Sequence, residues 1–254
     1  MSQWEVFAGQ VIVVTGAASG FGRILATRLN AVGARLVLAD INEEALDTLA
    51  AELASPDNVL TQTCDVSQES QVADVIASAV ARFGRLDIVV NNAGLGSPPR
   101  PIIEITEDDM DINFNVNTKG VLWGMKYGIR QMLAQTTQGG TVLNVASMAG
   151  LGAAPNLGAY VAAKHGVVGL TKTAAWEYGG KGVRVNAICP FFSPTPLLSE
   201  LELSVSQENL ARGTPMKRLG APEEMVDVMM TLISPSTSFV NGQAVAVDGG
   251  MSAM

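Results

Sequence analysis

The sequence predicts an α/β protein, a single Rossmann-type doubly wound domain with a seven-stranded parallel sheet flanked by helices on both faces. Three observations carry that expectation. Short apolar runs alternate with longer segments of helical periodicity along the chain, the pattern of repeated β-α units. The strand candidates are nearly continuous in Val, Ile and Leu, as strands covered on both faces must be. The first of them runs straight into a glycine-rich turn, "TGAASGFG", the junction at which such folds hold a pyrophosphate.

Taken in order, the strands are expected at 11–16, 35–40, 59–65, 86–94, 141–147, 183–189 and 243–250. Helical patterns fill 42–54, 67–83, 106–134, 157–178 and 222–233, beside the helix that the glycine turn opens. The segment at 106 carries a start signal, Thr106 followed by Glu107, Asp108 and Asp109. Acidic residues in a first turn complement the helix dipole, so this cluster is read as a cap and not as a metal site. Met225, Met229 and Met230 share one helix and read as core or subunit contact; Trp123 and Met125 read as core. No internal repeat or low-complexity linker divides the 254 residues, and one domain, 1–254, is expected.

Composition narrows the function classes. Hydrophobic residues make up 48% and charged residues 16%, the balance of a globular chain. The formal net charge is −8 with no basic cluster, which argues against nucleic acid and anionic membrane surfaces as partners. No run approaches the length of a membrane span, and the start of the chain lacks a signal-peptide pattern. Two distant cysteines in apolar contexts, Cys64 and Cys189, read as buried and reduced. The expectation is a cytoplasmic protein. One histidine, His165, and two separated cysteines make a zinc site a poor reading, and no metal is expected.

The glycine turn contains Gly16, Gly20 and Gly22. Glycines there permit a tight turn, close backbone approach to a pyrophosphate and close packing of the next helix. The helix N-terminus then offers unpaired N–H groups to the phosphates. The second strand ends in Asp40, 18 residues after Gly22, close to the spacing of a carboxylate that accepts from a ribose 2′-hydroxyl. The same charge repels a 2′-phosphate, and Ile41 and Asn42 bring no compensating cation. NAD(H) is therefore expected over NADP(H). Asp65, closing the third strand, is placed to reach an adenine amino group, and the small residues of "NNAG" (91–94) let backbone lie against the cofactor.

Tyr160 and Lys164 lie four residues apart on one helix face. A phenol of pKa about 10 is a poor base at neutral pH, and bringing it there takes about 4 kcal/mol of preferential phenolate stabilisation. A neighbouring ammonium and an oxidised nicotinamide can supply it. Ser147, at the end of the fifth strand, offers a hydroxyl to a carbonyl or alcohol oxygen. His165 follows Lys164 directly and is expected off that face, in packing or solvent contact.

Together "TGAASGFG", "NNAG", Asn117 within "NVNTKG", Ser147 and "YVAAK" resemble the short-chain dehydrogenase/reductase family, from about residue 9 to the terminal "VDGGM". The resemblance implies Tyr160 as general acid/base, Ser147 as the group that polarises the substrate oxygen, and Lys164 as a lowering influence on the tyrosine and a ribose ligand. It implies Asn117 as holder of a water linking Lys164 to solvent. Cofactor contacts are implied for Gly16, Ser19, Gly20, Phe21, Gly22, Asp40, Ile41, Asp65, Val66, Asn91, Ala93, Gly94, Tyr160, Lys164, Pro190, Ser193 and Thr195. A substrate lid at about 191–215 is implied, as is a homotetramer or homodimer built on helices 106–134 and 157–178.

One stretch departs from the family's pattern. "NAICPFFSPTP" keeps Asn186, Pro190 and Thr195, but Phe191 stands where the family has glycine and Ser193 where it has a branched residue. Pro194 and Pro196 bias Ser193 and Thr195 towards extended shapes, which predicts backbone donors at 193 and 195 facing one side as a carboxamide clamp. Leu95, Met148, Leu151, Phe191 and Phe192 are expected to line an apolar pocket for a secondary alcohol or ketone, apolar or aromatic. A 3-oxoacyl or 3-hydroxyacyl thioester dehydrogenase of the same family is the alternative enzyme. A non-catalytic NAD-binding sensor is the alternative from another class.

Overall fold

The computed structural model describes residues 3–200 and 206–253. Seven strands form one parallel sheet in the order β3-β2-β1-β4-β5-β6-β7. They are β1 (Val11–Thr15), β2 (Arg35–Asp40), β3 (Val59–Thr63), β4 (Ile88–Asn91), β5 (Gly140–Val145), β6 (Val183–Pro190) and β7 (Ala244–Val247). The helices are α1 (Gly20–Ala31), α2 (Glu43–Glu52), α3 (Glu69–Phe83), α4 (Glu107–Asn113), α5 (Gly120–Ala134), α6 (Gly158–Tyr178), α7 (Pro196–Glu200), α8 (Gln207–Gly213) and α9 (Pro222–Ile233). The seven expected strands and five expected helical segments are present. β4 and β7 are shorter than their apolar runs, because "NAG" and "DGG" leave the sheet as loops.

Side chains alternating along the strands feed two separate cores, as the two-residue period requires. Val11 and Val13 of β1 join one core with Val72, Met125 and Val167, from α3, α5 and α6. Ile12 and Val14 join the other with Leu25, Leu46, Met229 and Met230, from α1, α2 and α9. The methionines of α9 are interior packing. Cys64 and Cys189 are buried and free. With both faces covered, the carboxyl ends of the strands are the place where a ligand can meet the sheet. The strand order reverses between β1 and β4, and the glycine turn stands at that reversal.

The expected helix 106–134 is present with one irregularity. Thr106 caps α4 with a reciprocal box: the Asp109 amide donates to Thr106 Oγ1 at 3.1 Å, and the Thr106 amide donates to Asp109 Oδ2 at 3.0 Å. Between α4 and α5 the chain widens into a π-helical turn, Phe114–Lys119. Such insertions are rare and gather at functional sites, because they move backbone groups out of the regular ladder. Asn117 lies in this turn. Among the described residues no helix is long and apolar enough to cross a membrane. Thr106→Ala removes the Oγ1 half of the cap and keeps the backbone half, and urea unfolding is expected to show a loss of about 1 kcal/mol with the slope unchanged.

Candidate active site

The nucleotide end is built from β1 and its turn. Gly16 sits at φ 62° with its Cα against the loop after β4, and a Cβ there would stand 2.7 Å from Ala93 Cα. A Cβ at Gly22 would meet the Gly16 carbonyl oxygen at 2.1 Å, so only glycine lets α1 close on the turn. Ser19, the N-cap of α1, makes no side-chain capping bond, and the first turn holds no acidic residue. Among the other helices α3 and α6 likewise have no side-chain cap, whereas Asn42 caps α2 and Thr106 caps α4. The first-turn amides of α1 thus lack the side-chain acceptors α2 and α4 have, and a pyrophosphate suits that end.

Asp40 joins this turn to the end of β2. Its carboxylate accepts from the Ala18 amide at 2.9 Å and from the Asn42 amide at 3.0 Å. Ile41 beside it is 70% exposed, an apolar surface suited to an adenine face. Asp65 accepts from the Ser67 amide at 2.9 Å, and Val66 packs beneath Gly120. Phe21 is half-buried against the α1–α9 core, so its backbone, and not its ring, faces the turn.

Asn91 and Asn92 divide their work. The Asn91 side chain turns into the core, donating to Asn144 Oδ1 at 2.8 Å beneath Gly124, so any cofactor contact at 91 is limited to backbone. Asn92, which was not among the expected site residues, fastens the glycine turn. Its amide nitrogen Nδ2 donates to the Gly16 carbonyl at 2.8 Å and to the Thr15 carbonyl at 3.1 Å. Thr15 Oγ1 in turn accepts from the Asn92 and Ala93 amides. The doubled asparagine of "NNAG" was the available signal, since a single small polar residue would suffice for a turn.

At the catalytic end, β5 delivers Ser147 and α6 delivers Tyr160 and Lys164. Ser147 Oγ accepts from the Ala149 amide at 3.1 Å, which orients the hydroxyl, and that hydroxyl stands near enough to Tyr160 to favour its phenolate. Lys164 is 3% exposed, and its ammonium donates to the Val145 carbonyl at 2.9 Å. The ammonium lies 5.6 Å from the Tyr160 ring centre. Burial pulls Lys164 down to about 8. Burial also pushes the Tyr160 phenol above its ordinary value, against the opposing influence of the nearby Ser147 hydroxyl. The expected lowering of the tyrosine is therefore not a property of the protein alone: loss of solvation is the largest influence on the phenol.

Asn117 is fully buried. Its Nδ2 donates to the Leu95 carbonyl at 3.1 Å, and the Leu95 amide donates to its Oδ1 at 3.0 Å. A Cβ at Gly94 would stand 2.9 Å from Asn117 Oδ1 and 3.5 Å from Lys164 Nζ, so both groups border one small space that any side chain would fill. Thr118 donates to the Ala163 carbonyl at 3.0 Å, tying the π turn to α6. His165 is exposed and bonds the Val161 carbonyl, off the Tyr160–Lys164 face.

The 190–196 loop departs from expectation. The Thr195 amide donates to the Ser193 carbonyl at 2.8 Å, closing a tight turn, so 193 and 195 do not form an extended pair of free donors. Proline at 194 fixes the middle of that turn and does not straighten it. Ser193 is 5% exposed, and its hydroxyl donates to the Gly220 carbonyl. Thr195 still reaches the cofactor end, 3.7 Å from the Cβ position of Gly20. Phe191 continues the β6–β7 ladder through its amide and lines a cavity with Thr214, Met216, Met225 and Val247. None of Ser147, Tyr160 or Lys164 lines that cavity. Phe192 stacks edge-to-face on Phe191, with ring centres 4.8 Å apart. Met148 is half-buried and Leu151 is 40% exposed beside Ser147. Residues 201–205 of the expected lid lie outside the described residues.

Residues 16–252 match the family described as enoyl-(acyl carrier protein) reductase. Levodione reductase of Leifsonia aquatica is 38% identical over 257 residues, spanning 97% of this chain and 96% of that protein. Cyclohexanol dehydrogenase of an Acinetobacter species is 36% identical over 244 residues, spanning 96% and 95%. The crystal structure of 3-ketoacyl-(acyl-carrier-protein) reductase from Brucella melitensis complexed with NADH superposes with a TM-score of 0.90 at 33% identity, covering 97% of this chain and 99% of that one.

The buried lysine makes a testable demand on stability. A cation whose folded pKa is depressed binds fewer protons folded than unfolded, so its cost is full below about 8 and is relieved as pH rises towards its ordinary 10.5. Relative to Lys164→Met, the cofactor-free wild type is expected to gain roughly 3 kcal/mol between pH 7 and pH 10.5 in paired urea titrations. A constant difference would contradict the buried ammonium.

Proposed function

The chain belongs to the short-chain dehydrogenase/reductase family, and we propose that it is an NAD(H)-dependent oxidoreductase interconverting an apolar secondary alcohol and its ketone. The observation that carries this reading is the convergence of Ser147, Tyr160 and Lys164, with the lysine held almost out of water 5.6 Å from the tyrosine ring centre.

The nicotinamide, when bound, supplies or accepts the hydride; the rest falls to the chain. Ser147 and Tyr160 would both donate to a ketone oxygen, fixing it and stabilising the charge that develops there. Tyr160 gives its proton to that oxygen. A phenol kept protonated by burial has the proton this role requires. In oxidation the phenol must ionise, and the positive charge of an oxidised nicotinamide beside Lys164 supports it. The Ser19 end of α1, Gly16, Asp40 and Asp65 would hold the dinucleotide, with Lys164 on the nicotinamide ribose.

Asp40 supports NAD(H). A 2′-phosphate would meet a carboxylate, and the nearest basic residue of the turn, Arg23, is already paired with Glu52. The substrate reading rests on Leu95, Met148, Leu151 and Phe192, and the cyclohexanol dehydrogenase relative acts on a neutral ring alcohol by name. A thioester reductase is the second reading, favoured by the Brucella relative's name. Against it, no Lys or Arg occurs between 190 and 211, and Arg212 is paired with Glu208, which leaves little to attract an acidic carrier. A homotetramer or homodimer through α5 and α6 is our reading of the assembly.

NADH oxidation is expected with cyclic ketones, and Tyr160→Phe is expected to lower kcat by at least about 10³-fold with NADH binding retained. Equal turnover by the two proteins would remove the acid/base assignment. In the same assay kcat/KM is expected to favour NADH over NADPH by roughly 100-fold, about 2.7 kcal/mol, and Asp40→Ser to erase most of that preference. Comparable use of NADPH by the wild type would contradict the Asp40 reading.

A further inference from the structure

The reaction scheme leaves unused a set of buried polar groups directly behind Asn117. Asp109, Asn113 and Asn117 recur every four residues along one helix face. Asn113 is 2% exposed and Ser97, in the loop after β4, is 4% exposed. Asn113 Nδ2 donates to Ser97 Oγ at 2.8 Å and to the Asp109 carbonyl at 2.9 Å. Its Oδ1 accepts from Asn117 Nδ2 at 3.1 Å.

Buried amides are tolerated only when paired, and an apolar residue would pack at 113 without that demand. The pairing has a consequence at Asn117. One Nδ2 hydrogen goes to the Leu95 carbonyl and the other to Asn113, so the side chain has no donor left. Its Oδ1 takes the Leu95 amide and keeps a second lone pair, beside the space at Gly94 that Lys164 also borders. A flipped Asn117 amide would set donor against donor at Leu95 and acceptor against acceptor at Asn113.

We propose that Asn113, held by Ser97, is a positioning residue that fixes Asn117 as an acceptor beside Lys164 and so keeps open the proton route between solvent and Tyr160. The proposal rests on the oxidoreductase reading above. Each ketone reduced takes one proton from Tyr160, and solvent must return one past Lys164. A loosened Asn117 slows that return without altering where substrate or cofactor binds.

The test uses Asn113→Leu, Ser97→Ala and Ser97→Thr. In the cofactor-free protein, hydrogen exchange at the Leu95 amide is expected to quicken about 10-fold in Asn113→Leu and less in Ser97→Ala. The β5 amides should stay protected, and Ser97→Thr, which keeps the hydroxyl, should match wild type. With NADH and cyclohexanone, kcat is expected to fall about 10-fold in Asn113→Leu at unchanged KM, and added imidazole buffer to restore it. Leu95 exchange within twofold of wild type in both disrupting variants would overturn the proposal. So would a fall in kcat that imidazole leaves untouched, or quickened exchange with unchanged kcat. Should Asn113→Leu not fold, Ser97→Ala carries both readouts. A wild type inactive on every ketone would sink the oxidoreductase reading instead, while Leu95 exchange would still report whether Asn113 holds Asn117.

Discussion

The ammonium of Lys164, taken almost entirely out of water, sets terms that the surrounding structure has to meet. Among the described residues its acceptor is the Val145 carbonyl, the last residue of β5. That carbonyl points at α6 because β5 ends there and the chain turns to present Ser147. Central strands on either side hold the end of β5 still, through Asn91↔Asn144 and Val145↔Ile188. α6 is the longest helix, 21 residues packed on β6 and the π turn, and it resists the rotation that would carry the charge back to water. A weaker scaffold would release the lysine. This one keeps it charged or near-charged at neutral pH, at a cost to stability.

The same burial explains why the site is incomplete in electrostatic terms without a dinucleotide. Desolvation acts on Tyr160 and Lys164 together and disfavours the charged form of each. The neutral phenol is therefore the resting state, and the chain by itself is set as an acid. An added positive charge at the nicotinamide position would shift the balance towards phenolate. On the proposed reading, direction of reaction and cofactor state would be coupled through one patch of low-dielectric protein.

Much of this was legible in the sequence for definite reasons. Near-continuous Val and Ile runs ended in Gly, Asp or Asn, and a parallel sheet leaves few other arrangements for them. Gly16 and Gly22 were legible because their positions admit no Cβ, and Tyr160 with Lys164 because helical spacing fixes their common face. The π turn was not legible. It adds one residue to a helix whose apolar pattern continues across it, and propensity does not register one extra residue. The part played by Asn92 was not legible for a related reason: in "NNAG" two identical side chains point to opposite sides, and only the strand's end decides which enters the core.

The 190–196 loop shows where local rules yield to tertiary ones. Pro194 and Pro196 do restrict their predecessors, but restriction of φ is compatible with a tight turn as well as with an extended run. What decides is the β6–β7 ladder, which claims the Phe191 amide, and the Gly220 carbonyl, which claims the Ser193 hydroxyl. Both partners lie more than 25 residues away in the chain. With Phe191 drawn to β7, its side chain lines the cavity with Thr214, Met216 and Met225, which Tyr160 does not line. The two phenylalanines thus act as a stacked pair with different duties. Phe191 anchors the loop against the C-terminal segment, and Phe192 is left as the member of the pair available to a substrate.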